Sequence, residues 1–239
     1  MIEVRSIRWQ SSNPQSPMEL LVYGRYGRPV LFFGADQDEP QAADDAGLLD
    51  DLAGAVAAGE IKLYVVETVD QRALRDGAIS AEERLARQEA YDRFIAEEVV
   101  ASIQHDCRNA LGIVAAGSGL GGYQALNVMA RHPALFEAAV VIDPILDIEP
   151  YATEGGEALY FLNPMAYLPN LDDEHFLPLL QQRSVVLASS RGGRDDARRM
   201  AEILKERGIP CELQLRSGAS AASLLAEPLI ALRESVAAP

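Results

Sequence analysis

The sequence predicts an α/β domain built on a mostly parallel sheet of about eight strands with helices on both faces. Three observations carry this prediction. Short apolar runs alternate with amphipathic stretches along the chain, as when strands are buried beneath intervening helices. The 239 residues are 49% hydrophobic and 24% charged, enough for one large core. At that size roughly 70–75% of the unfolded surface is buried without disulfide or metal staples. Near the middle, Leu111-Gly-Ile-Val-Ala-Ala-Gly-Ser-Gly-Leu-Gly-Gly-Tyr-Gln-Ala-Leu126 reads as a buried strand, a tight glycine turn and a helix.

The strands in order are Ile2–Trp9, Glu19–Tyr23, Pro29–Phe33, Ile61–Glu67, Leu111–Ala116, Ala138–Ile142, Val185–Ser189 and Cys211–Leu215. Asn13-Pro14 and Pro17 leave room only for a turn between the first two, which makes that pair antiparallel. Leu48, Leu49, Leu52 and Val56 share one face of a helix with Asp44 or Asp45 as N-cap and Gly59 near its end. A longer helix starts at Ser80, where Glu83 completes a capping box, and buries Tyr91, Ile95, Val99 and Ile103. A third spans about Asp195 to Arg207, capped by Asp195 and Asp196 and closed by Gly208 and Pro210. There is no internal repeat or long linker. Residues 1–239 form a single domain, with 149–182 an excursion between strands.

A formal net charge of −15 argues against nucleic acid as a partner, since a binder needs a basic surface to displace counterions. No apolar run approaches the roughly 18–20 residues that span a bilayer. The first nine residues break their hydrophobes with charge and do not form a signal-peptide core. The expectation is a soluble, acidic, cytoplasmic protein with no membrane role. Cys107 and Cys211 are too few and too far apart for a disulfide framework or zinc site, and read as free thiols. Asp36, Asp38, Glu39, Asp44, Asp45, Asp50, Asp51 and Glu60 lack the spacing of a calcium loop and read as a solvated acidic face. No metal and no cofactor are expected.

The glycine turn admits two readings. Gly117, Gly119 and Gly122 match G-x-G-x-x-G, with Asp143 ending the next strand, the arrangement that seats a dinucleotide pyrophosphate on a helix N-terminus. That fingerprint normally opens its domain, whereas here it follows four or five strands. The other reading is the nucleophile elbow of a serine hydrolase, G-x-S-x-G, also strand–turn–helix. Its strained backbone demands small residues two before and two after the nucleophile. With Ser118 as nucleophile those positions are Ala116 and the bulky Leu120; with residue 119 they are Gly117 and Gly121. The geometry therefore selects position 119, which is glycine.

Gly121-Gly-Tyr-Gln-Ala-Leu-Asn-Val-Met-Ala-Arg-His-Pro-Ala-Leu-Phe136 resembles the helix after the elbow in the esterase D-like family of the α/β-hydrolase superfamily. There G-x-S-x-G-G-Y leads to an R-H-P-x-x-F close. Asn163-Pro-Met-Ala-Tyr-Leu-Pro-Asn170 is similar to a family segment as well, as are Gln88-Glu-Ala-Tyr-Asp-Arg-Phe94 and Arg207-Gly-Ile-Pro210. The resemblance covers nearly the whole chain and implies an α/β-hydrolase fold. It also implies a serine nucleophile, an acid and a histidine in that chain order, with oxyanion donors beside them.

Carried over residue by residue, that machinery is incomplete. The nucleophile slot is Gly119, and Ser118 is the alternative, one residue early. The base slot matches Ala222, and no histidine follows His175; His105 and His132 lie upstream. His132 reads as a packing or capping residue at a helix end. The acid slot is Asp195 or Asp196. Leu120 N–H is one oxyanion donor, and the second lies in the loop Gly34-Ala-Asp-Gln-Asp-Glu39. A carboxylate about 6 Å from a developing oxyanion costs roughly 3 kcal/mol at an effective dielectric near 20. The expectation is a non-catalytic relative that binds a small molecule or protein partner with Ala35, Asp36, Ser118, Gly119 and Leu120, and forms a homo-oligomer. The alternatives are a carboxylesterase working through Ser118, and a dinucleotide binder using Gly117, Gly119 and Gly122.

Overall fold

The structure, a computed structural model, describes residues 2–10, 17–34, 48–108, 112–190, 192–219 and 223–229. Eight strands form one sheet: β1 (Val4–Trp9), β2 (Met18–Tyr23), β3 (Arg28–Phe33), β4 (Ile61–Val66), β5 (Ile113–Ser118), β6 (Phe136–Ile142), β7 (Ser184–Ser189) and β8 (Cys211–Leu215). Their spatial order is β1-β2-β4-β3-β5-β6-β7-β8. β1 pairs antiparallel with β2 and β2 antiparallel with β4; every other pairing is parallel. The first antiparallel pair is the one the prolines of the 10–17 segment predict. β2 also meets its other neighbour antiparallel.

The helices are α1 (Leu48–Ala57), α2 (Ala81–Phe94), α3 (Val100–Asp106), α4 (Leu120–Arg131), α5 (Gly156–Leu162), α6 (Pro164–Tyr167), α7 (Phe176–Leu180), α8 (Arg194–Glu206) and α9 (223–229). None of the helices described is long and apolar enough to cross a membrane. The larger core lies between one sheet face and α2, α3, α4, α8, the loop after β6 and the 149–182 excursion. The smaller lies between the opposite face, α1 and α9. Alternation along β5 divides its side chains between them: Ile113 and Ala115 enter the first, Val114 and Ala116 the second.

The long helix after β4 follows its sequence pattern and adds one feature. Ser80 Oγ accepts from Glu83 N–H at 3.1 Å, the expected cap. Tyr91, Ile95, Val99 and Ile103 are all fully buried, each contributing about 1.5–3 kcal/mol. A strict four-residue spacing drifts about 40° per step on an α-helix of 3.6 residues per turn. The chain absorbs the drift in a π-helical turn, Ile95–Val99, where Val100 N–H reaches back to the Ile95 carbonyl. The wider turn keeps all four side chains on the sheet.

Two expectations are corrected. The N-cap of α8 is Gly193, at φ 63°, and neither Asp195 nor Asp196 caps; both stand in the first turn. β5 runs to Ser118 rather than stopping at Ala116, because Ser118 pairs with Ile142 and extends the ladder to the turn. Asp44 and Asp45 lie outside the described residues, as does Leu111. Cys107 and Cys211 are both free and partly buried.

Candidate functional site

The site is built where β5 hands the chain to α4. Gly119 alone forms the turn, at φ 59° and ψ −124°, outside the three regions open to L side chains. The turn is pinned from below: Gly119 N–H donates to the Ile142 carbonyl at 3.1 Å. The Gly119 carbonyl accepts from Gly122, Tyr123 and Ile145 N–H at 3.1, 3.3 and 3.1 Å. The turn is therefore locked to both the helix it starts and the loop leaving β6.

The flanking glycines are required by contact. A Cβ on Gly117 would overlap the Gly121 carbonyl, and one on Gly121 would overlap the backbone carbonyls of Phe33 and Gly34. Gly122 lies close against Val141 Cγ1, 3.0 Å from where a Cβ would sit. The crowding two residues before and two after is centred on position 119.

Ser118 does not share the apex. It is the last residue of β5 and has the parity of Val114 and Ala116, so its side chain leaves on the sheet face that carries α1 and α9. The Leu120 side chain is fully buried in the larger core, so at the turn this residue presents only its backbone. As the first residues of α4, Leu120 and Gly121 have N–H groups with no carbonyl one turn back. Ala35, Asp36 and Ala222 lie outside the described residues.

The acids divide sharply. Asp195 is almost entirely exposed and, among the described residues, its carboxylate meets Arg198 at 3.4 Å. Asp196 accepts from Leu146 N–H at 2.7 Å and Asp147 N–H at 3.4 Å, tying α8 to the loop after β6. Asp143 is the residue that sequence reasoning undervalued. It stands at the end of β6 at φ 41°, and the exit of β7 wraps around it. Ser189 Oγ (3.1 Å), Ser190 N–H (2.8 Å) and Gly192 N–H (3.3 Å) donate to Oδ1, and Ser190 Oγ (2.9 Å) donates to Oδ2. An added Cβ on Gly193 would overlap Pro144, which shows how closely the loop is drawn in. Ser189 at the end of β7, with the serine and two glycines that follow it, is the signal for this cage, recognisable only once β6 and β7 are known neighbours.

The three histidines stand away from the turn. His132 is the C-cap of α4, about 19 Å along the helix from Gly119 at 1.5 Å per residue. Its Nε2 lies 2.7 Å from the buried Asp92 carboxylate, which Arg131 also contacts at 3.0 Å. His105 lies in the last turn of α3 next to Asp106, whose carboxylate pairs with Lys62 at the start of β4, the end of the strand opposite the turn. The His175 side chain is 92% exposed. No group of three or more metal-ligating side chains occurs among the described residues.

Beneath α4 lies a buried polar network with no signature in the sequence. Gln88 and Gln124 exchange amide hydrogen bonds of 2.7 and 3.0 Å, and Gln124 Nε2 also donates to Asp70 Oδ1 at 3.1 Å. Tyr123 Oη donates to the Leu162 carbonyl at 3.0 Å. Burial pushes the Tyr123 phenol well above its ordinary value, so it remains a donor. The network and this bond fix α4, and hence the turn, against α2 and the excursion.

The family model described as "Putative esterase" matches residues 34–200. No curated protein matches the chain. Three solved structures illustrate the likeness. A ferulic acid esterase is 18% identical with a TM-score of 0.72, covering 98% of this chain and 97% of that one. An S-formylglutathione hydrolase from Agrobacterium tumefaciens is 12% identical at 0.68, covering 98% and 94%. The S-formylglutathione hydrolase FrmB of Staphylococcus aureus is 12% identical at 0.66, covering 98% and 96%. At such identities the likeness is one of fold, the α/β-hydrolase fold, with eight strands in the order already described. With most of its length matched, turn and excursion included, the chain belongs to the esterase family of α/β-hydrolase-fold proteins.

Proposed function

We propose that this chain is a non-hydrolytic member of the esterase family, which uses the C-terminal end of the sheet at the β5–α4 turn to bind a small molecule or a protein partner. One observation carries the reading: the apex of the turn is Gly119, at a φ and ψ that hold a side chain clear of the strand in a serine hydrolase, and glycine brings no hydroxyl to it. The base supports it. Chain order calls for a histidine after β8, and nothing from Phe176 to Pro239 is histidine. With no imidazole to orient, Asp195 and Asp196 have no catalytic task, and Asp196 already holds two backbone N–H groups of a neighbouring loop. The ligand-binding set is then the backbone at Gly119 and Leu120 together with Ser118; Ala35 and Asp36, the other members expected from the sequence, lie outside the described residues.

Family membership favours a second reading, a carboxylic ester hydrolase working through Ser118. It requires that hydroxyl to act from the sheet face rather than the apex and without a histidine base. A misplacement near 1 Å can already cost about 10²-fold. Dinucleotide binding is a third reading. It calls for a free acid after β6, whereas both oxygens of Asp143 accept from the β7 exit. Hydrolysis of a short-chain p-nitrophenyl ester separates the first two. The proposal expects the same background rate for the native chain and Ser118→Ala. A native rate well above background that Ser118→Ala abolishes would overturn it.

A further inference from the structure

We infer that two copies of this chain pair through β8, joining their sheets across a two-fold axis. β8 is an edge strand: among the described residues it pairs with β7 alone. The hydrogen bonds at its two ends set which of its groups point outward. Val185 N–H donates to the Pro210 carbonyl, and Arg216 N–H donates to the Ser189 carbonyl, both at 2.9 Å. In a parallel ladder this alternation turns the backbone of residues 210, 212, 214 and 216 toward β7. The N–H and C=O groups of Cys211, Leu213 and Leu215 therefore face away from the sheet.

A strand with outward groups at three alternate positions can pair with its own copy in antiparallel register. Centred on Leu213, it sets Leu213 against the partner's Leu213, and Cys211 and Leu215 against the partner's Leu215 and Cys211. Each such pair exchanges two bonds, so all six outward groups on each strand are satisfied. The same register sets Glu212 opposite the partner's Gln214, an acceptor against an amide donor. Shifting the centre to Glu212 would place two carboxylates directly opposite, a destabilising pair. The charge pattern thus disfavours the Glu212-centred register and leaves the Leu213-centred one free of like-charge pairs.

The rest of the surface discourages other pairings. The chain carries a formal charge of −15, so copies repel over most of their surface, yet Glu212 is the one charged side chain in β8. Leu213 is 38% exposed. Gln214 directs its amide N–H to Glu212 of its own strand at 2.8 Å, and its Oε1 is buried with no hydrogen-bond partner. The opposite edge, β1, carries Arg5 and Arg8, paired with Asp106 and Glu19, and charged edges resist self-pairing.

Sedimentation equilibrium of the full chain, from about 1 to 200 μM, tests the pairing, with circular dichroism to confirm that each variant is folded. The native mass is expected to approach twice 25.9 kDa. Gln214→Glu puts like charges opposite at two symmetry-related places and weakens the dimer about tenfold. Adding Glu212→Lys restores it, because opposite charges now face each other. Leu213→Cys, in a background with Cys107 and Cys211 changed to Ser, forms a disulfide dimer on mild oxidation. The facing Cα atoms of such a pair lie about 5.5 Å apart, within the span a disulfide bridges. A chain monomeric throughout that range overturns the inference. So does a dimer indifferent to Gln214→Glu that gives no cross-link at position 213.

Discussion

Replacing Gly119 with alanine tests whether the turn has the backbone described. At φ 59° and ψ −124° a Cβ is strained, and residues held in such sparsely populated regions cost about 1–3 kcal/mol. Alanine also stiffens the unfolded chain, which offsets roughly 0.4–1 kcal/mol. The net expectation is a loss of about 1–2 kcal/mol. For a domain of this size that lowers Tm by roughly 2–8 °C. Urea unfolding followed by the single tryptophan is a suitable assay, since Trp9 packs edge-on against Phe94 with ring centroids 5.5 Å apart. Gly54 supplies the control: it lies inside α1, and nothing stands within 4 Å of where its Cβ would sit. There alanine should stabilise by about 0.5–1 kcal/mol through helix propensity and chain entropy. If Gly119→Ala is as favourable as Gly54→Ala, the turn is not strained at position 119 and the elbow assignment fails.

Other perturbations have calculable signs. Gln124→Leu removes the partner of Gln88 and a donor to Asp70 in a fully buried network, and should cost about 1–3 kcal/mol in urea unfolding. Burial pushes the Asp106 carboxyl up, but hydrogen bonds from Lys62 and Tyr64 and the nearby Arg5 outweigh it and hold the group below the usual carboxylate range. Its stabilising contribution is therefore complete above the ordinary carboxylate value near 4 and is lost as pH falls through the lower folded value. Asp106→Asn should flatten that part of the acid limb in a series of urea midpoints against pH; an unchanged slope would remove Asp106 from the account. Burial also pushes the Cys211 thiol up, to about 12. In the native fold it should react with iodoacetamide at pH 8 more slowly than a free cysteine does, as peptide mapping would read. A rate equal to that of free cysteine would contradict the burial.

The architecture was readable because the six inner strands, β2 to β7, are buried on both faces and announce themselves as apolar runs, and all eight strands appear within a few residues of their expected positions. The turn was readable for a steric reason: the size of Leu120 excludes position 118, and the glycines at 117 and 121 admit position 119. The structure places carbonyls where Cβ atoms on those glycines would fall. Long-range polar contacts were not readable. The cage around Asp143 joins residues 46 to 49 positions apart, and the bond between Gln88 and Gln124 spans 36. Neither pattern has a local spacing that distinguishes it from a solvated surface. The π-helical turn is an intermediate case. The four-residue spacing from Tyr91 to Ile103 does not fit a regular helix, and that misfit was the available signal.

Intact-mass analysis after treatment with a fluorophosphonate probe, beside an active esterase as control, tests the central claim most directly. A serine nucleophile that is activated leaves a covalent adduct, whereas a glycine at the apex leaves none. The account predicts unmodified protein under conditions that label the control to completion. A stoichiometric adduct mapped to Ser118 would contradict it and make this chain an ester hydrolase whose nucleophile stands one residue before the turn.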